Sequence, residues 1–105
     1  MPLSASEAAI EAELKTKGLD APHITPAHID AQIVGEWYAI VPDTTMTVCA
    51  LTLRNGFVVI GESAAASPEN FDAAIGRRIA RDNARNKIWA LEGYLLRSRL
   101  AAGIV

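Results

Sequence analysis

TVCALTLRNGFVVIGES, Thr47 to Ser63, sets two runs of alternating, β-prone residues on either side of Asn55-Gly56. Period-two alternation broken by a turn pair reads as two antiparallel strands. Asn-Gly is the preferred pair for a two-residue type I′ turn, because both central residues need φ > 0. That turn predicts Arg54 opposite Phe57, and the register follows. One face then receives Cys49, Leu51 and Leu53 with Val58, Ile60 and Glu62, and is the expected core. The other receives Val48, Ala50, Thr52 and Arg54 with Phe57, Val59 and Gly61. This second face is only half polar, so a helix, the N-terminal segment or a second subunit is expected to cover part of it.

Upstream, EWYAIV followed by Pro42-Asp43 supplies a third strand and completes a meander. Before it, Ser4 and Glu7 are spaced as a capping box, Ile10 and Leu14 stand four apart, and Gly18 marks a helix stop. With so thin an apolar face, residues 1–20 read as a loosely packed or mobile helical arm. Thr25 as N-cap, Pro26 at the first helical position, and Ile29 and Ile33 give a short helix from Pro26 to Ile33.

Downstream, Ser67, Pro68 and Glu69 open a basic helical segment that contains no further proline. Phe71, Ile75 and Ile79 mark one apolar face, and Ile88, Leu91 and Leu95 mark another, rotated by more than a quarter turn. The phase change predicts a bend, break or subunit contact near Asn86 to Glu92, with a second helix running to about Ala101. The fold class is α+β in one domain: N-terminal helices, a three-stranded antiparallel meander and a long basic C-terminal helical segment.

The chain has 105 residues, half of them hydrophobic, enough for a core without staples. A single cysteine excludes an internal disulfide, and no stretch approaches the run of about 20 apolar residues that a membrane helix needs. The acidic opening MPLSASEAAIEAELK lacks the basic region and apolar run of a signal peptide, so a soluble intracellular protein is expected. Net charge is −2, which argues against a surface uniformly attractive to nucleic acid, but the last third is basic: from Ser67 onward, seven bases stand against four acids.

Among chemical candidates, Gly61-Glu62-Ser63-Ala64-Ala65 lacks the second glycine of a nucleophile elbow and follows a hairpin strand. His23 and His28 are spaced across Thr25-Pro26 so that they do not share a helix face, and read as surface and capping residues. Cys49 alternates with Leu51 and Leu53 and reads as a small core hydrophobe. No catalytic set and no metal cluster can be assembled. Glu62 falls on the expected core face and so needs a partner, either an ion pair with the basic helix or a ligand in a cleft. Arg77, Arg81 and Arg85 recur every four residues as a guanidinium stripe, either solvated or suited to a phosphate, a small anionic ligand or an acidic partner. Trp89 and Tyr94 lie just beyond it, within reach of a base or an apolar group, and Glu92, like Glu62, is a structural partner for the stripe.

The stretches CALTLRNGFVVIGESA, ENFDAAIGRRIARDNARNKIW and LEGYLLRSRL together resemble a small protein family of tailed bacteriophages, named after gene forty-nine of phage N-four and gene sixty-six of phage Sf-six. The resemblance runs from about Ile24 to Leu100. It rests on Thr47 to Cys49, Leu53 to Phe57, Gly61 to Ala64, Asn70 to Asp72, Gly76 to Arg77 and Leu91 to Leu96. Members often carry proline where this chain has Ala90. The resemblance implies a phage or prophage origin and a small accessory protein in the bacterial host cytoplasm, and it brings no catalytic residues. The leading expectation is a non-enzymatic protein, without cofactor, that binds a host protein or sequesters a host signal molecule and closes its apolar surfaces as a homodimer. A nucleotide or nucleic-acid binder using the arginine stripe is the alternative.

Overall fold

The computed structural model describes residues 5–104. Two helices, α1 (Ala5–Thr16) and α2 (Pro26–Gln32), precede strands β1 (Ile33–Ile40), β2 (Met46–Leu53) and β3 (Val58–Ala64). A 3-10 turn (Pro68–Asn70) and one long helix, α3 (Ala73–Ala101), complete the chain. The chain divides into two compact units. One holds Gln32–Ile88, and the other joins the chain up to Ala31 with the chain from Trp89 onward.

Local signals explain most boundaries. The Ser4 half of the expected capping box lies outside the described residues. Gly18, at φ 67, ends α1: its N–H reaches the Lys15 carbonyl and that of Leu19 reaches the Leu14 carbonyl, the paired closure of a Schellman motif. Thr25 caps α2 through its hydroxyl, which accepts from the His28 N–H at 3.1 Å. The expected start of the long helix at Ser67 is corrected: Ser67 makes no capping bond, and α3 is capped instead by Asp72, whose Oδ1 accepts from the Ile75 N–H at 2.9 Å.

The sheet is antiparallel in the order β1-β2-β3, as the meander requires, but its register differs from the expected one. Gly56 alone in the turn has positive φ, 88, so Asn55-Gly56 is not a type I′ pair. Arg54 and Asn55 form the centre of a turn closed by the Gly56 N–H on the Leu53 carbonyl, and Leu53 donates to Phe57 across a three-residue loop. The Asn55 side chain accepts from the Phe57 N–H at 3.0 Å and holds that geometry. Leu51 therefore pairs with Val59 and Cys49 with Gly61. A slip of one residue exchanges every side chain of a strand between its faces. Val59 is buried, Val58 and Ile60 are exposed, and Glu62 points away from the core. The expected register would have buried a carboxylate; the observed one leaves it in water.

Within this unit, α3 lies against the face carrying Thr47, Cys49, Leu51 and Leu53, through Gly76, Ala80, Ala84 and Ile88. Approach is closest at Gly61, where a Cβ would fall 2.2 Å from both the Ala80 carbonyl oxygen and the Ala84 nitrogen. Ile75 and Ile79, expected to form the buried face of the helix, are 47% and 44% exposed. The expected break near Asn86 to Glu92 is not seen, since α3 is a single 29-residue helix with no second helix after it. A strip stepping by four residues drifts about 40° per step, so burial can pass from Gly76 to Ile88 along one continuous helix.

Thr47 is 1% exposed, and its hydroxyl has no hydrogen-bond partner among the described residues. Thr47→Val removes the hydroxyl while keeping the shape, and is expected to raise stability by about 1 kcal/mol, read as a higher urea midpoint at unchanged slope.

Candidate functional site

In the unit spanning Gln32–Ile88, the face of the sheet opposite α3 is open. β1 contributes Trp37 and Ala39, β2 contributes Val48, Ala50 and Thr52, and β3 contributes Val58 and Ile60, aligned by the pairs Trp37↔Ala50 and Ala50↔Ile60. Trp37 is 59% exposed, and Val58 and Ile60 are 45% exposed. Glu62 sits at one end of this face. It is therefore not a core carboxylate; its backbone carbonyl accepts from Asn83 Nδ2 at 2.8 Å, and the ion pair that Arg81 makes is with Glu36 instead.

On the helix side, a polar chain runs along the edge of the core. Arg81 Nε donates to Glu36 Oε1 at 3.0 Å, and the Tyr38 hydroxyl donates to the same oxygen at 2.6 Å. These bonds, that from Tyr38 first, hold the Glu36 carboxyl below its ordinary range. Burial, reinforced by donation to Glu36, raises the Tyr38 phenol. Cys49, opposite Tyr38 on β2, is fully buried, and burial pushes its thiol up, away from the thiolate needed for reaction. The pairing of Arg81 with Glu36 was not legible in sequence, because 45 residues separate them and their meeting depends on the register of β1.

The arginine stripe is therefore not uniform. Arg77 is exposed, Arg81 is bound to Glu36, and Arg85 is only 6% exposed. Arg78 is also exposed. Arg77 and Arg78 thus leave two neighbouring guanidinium groups exposed near the start of the helix, and Arg81 and Arg85 do not extend them into a solvent-facing ladder.

The other unit holds Trp89, Glu92 and Tyr94. Glu92 Oε2 lies 3.1 Å from His28 Nε2, and Tyr94 is 77% exposed. Trp89 lines a cavity of about 330 Å³ with Glu7, Ile10, Glu11, Leu14, His23 and other residues. His23 Nδ1 faces the Ala21 carbonyl and Nε2 faces Glu11, which together raise its pKa. Among the described residues no cluster of three or more His, Cys, Asp or Glu could hold a metal ion, and no helix is long and apolar enough to cross a membrane.

Residues 24–100 match the model of the phage protein (N4 Gp49/phage Sf6 gene 66) family. The chain belongs to this family. The match spans the entire sheet, the α2 helix and all but the last residue of α3, so the open face and the Trp89 side of its cavity are family territory, whereas α1 lies outside it. No curated protein and no solved structure matches the chain.

Proposed function

We propose that this phage family protein is a non-enzymatic accessory protein that binds a host protein through the open face of its sheet. The observation that carries the reading is the exposure of Trp37, Val58 and Ile60 together on one surface flanked by Ala39, Val48 and Ala50. Contiguous exposed apolar area rimmed by polar groups marks an interaction site, and an exposed tryptophan is a favoured anchor. Nucleic acid is the weaker alternative, since Arg81 and Arg85 are drawn into the unit that carries them.

Purification of the tagged full-length chain from infected cells, beside a Trp37→Ser/Ile60→Ser variant, tests this. Both substitutions are at exposed positions, so the fold is expected to remain intact. A host protein retained by the parent and lost from the variant, with cross-links to β1 and β3, supports the proposal. Retention by both forms overturns it. Light scattering that gives a dimer for the parent and a monomer for the variant assigns the face to a second copy instead and also overturns the host-protein reading.

A further inference from the structure

Two carboxylates stand on the helix face that borders the cavity beside α1, yet neither is open to an occupant. Glu11 is held by His23 Nε2 at 3.4 Å, and Glu7 is engaged as well. What the cavity presents is almost wholly carbon, supplied by Ile10 and Leu14 from α1, by Ile24 and Pro26, and by Trp89. These side chains do not close on one another. α1 offers only two large apolar residues, one turn apart, and Ile10 remains 57% exposed although it lines the cavity. The space left is about 330 Å³. Voids between packed side chains are normally little larger than a water molecule, and a dry apolar cavity of about 150 Å³ is enough to hold benzene.

We propose that this cavity is a binding site for a small uncharged molecule with an apolar body, a single aromatic ring carrying a short alkyl chain. The volume admits a ring and a chain together, at the small end of ligand pockets. Trp89 supplies an aromatic surface against which a ring packs offset or edge-on. Charge decides against the ionised isosteres. With Glu11 and Glu7 already engaged, an ammonium or a carboxylate gives up water at its charged end and meets no open counter-charge, whereas a hydrocarbon releases the water held against carbon walls. The inference is independent of the sheet-face proposal, because every lining residue belongs to the other unit.

The test uses the full chain with n-butylbenzene and two probes of matched size, 3-phenylpropylamine and 3-phenylpropanoate. Binding is followed by the two indole N–H resonances, assigned through Trp89→Phe. The Trp89 signal is expected to shift saturably with butylbenzene, at an affinity about tenfold or more above that of either ion, while the Trp37 signal stays in place. Leu14→Phe, which adds bulk to the cavity wall from α1, should weaken butylbenzene binding about fivefold or more in a chain shown to be folded by its amide spectrum. No saturable Trp89 shift with butylbenzene in the parent, or either ion bound as tightly, overturns the proposal whatever the variant does. A folded variant that binds butylbenzene as tightly as the parent also overturns it.

Discussion

Gly61→Ala is expected to destabilise the chain by about 3 kcal/mol or more, against a typical domain stability of about 5–15 kcal/mol. A Cβ at this position would meet the Ala80 carbonyl oxygen and the Ala84 nitrogen at 2.2 Å and the Ala84 Cα at 2.8 Å. These are backbone atoms of a continuous helix, so no side chain can swing aside; the helix would have to lift from the sheet and release Leu51 and Ile88, both now fully buried. Gly93→Ala is the matched control. Gly93 lies in α3, and nothing stands within 4 Å of a Cβ added there. That change is expected to raise stability by about 0.5–1 kcal/mol through helix propensity alone. Urea denaturation of the two variants should therefore move in opposite directions, and equal midpoints would contradict the close helix-sheet contact.

Replacing Arg77, Arg81 and Arg85 together with glutamine is expected to unfold or severely weaken the chain, although exposed helical arginines are usually dispensable. The loss should be graded. Arg77→Gln alone should change stability by less than about 0.5 kcal/mol, as for other exposed sites. Arg81→Gln releases Glu36, a carboxylate still 40% exposed, and should cost no more than about 1 kcal/mol. Arg85→Gln removes a side chain almost wholly inside the protein, including its aliphatic stem, and should cost roughly 2 kcal/mol or more. Denaturation midpoints of the three single variants, falling in that order, would establish the stripe as graded structural support. Three equal, near-parental midpoints would return it to a solvated face.

Strand number, order and the helix caps at Thr25 and Gly18 were legible because each depends on residues within a few positions of one another. Register was not. It turned on whether Asn55 and Gly56 both take the left-handed conformation or Gly56 alone does, a choice between two turns that both favour Asn and Gly. The sequence carried a warning in Glu62, since the two-residue loop buried a carboxylate that then required an ion pair with the basic helix or a ligand to satisfy it. The buried strip of α3 was hidden for a different reason: Gly76, Ala80 and Ala84 score as weakly apolar beside Ile75 and Ile79, yet only small residues permit the approach measured at Gly61. Of the candidate residues, Arg81 and Glu92 acquired partners, Glu36 and His28, that spacing could not reveal. Trp89 was recognised as an aromatic of interest, but its cavity depends on α1, Ile24 and Pro26 converging from distant parts of the chain.

The three-residue loop Arg54-Asn55-Gly56 also acts as a parity switch for the gene. Strand faces alternate with a period of two, so loss or gain of one codon in this loop leaves the chain two outcomes: rebuild the turn, or present Val58, Ile60 and Glu62 to α3 in place of Val59 and Gly61. The second outcome collides with the helix where a side chain would meet its backbone at 2.2 Å. Changes of two codons leave the parity untouched. Length variation between β2 and β3 among viable relatives should therefore favour even steps, a constraint written in the reading frame of the loop and imposed by a glycine several residues away.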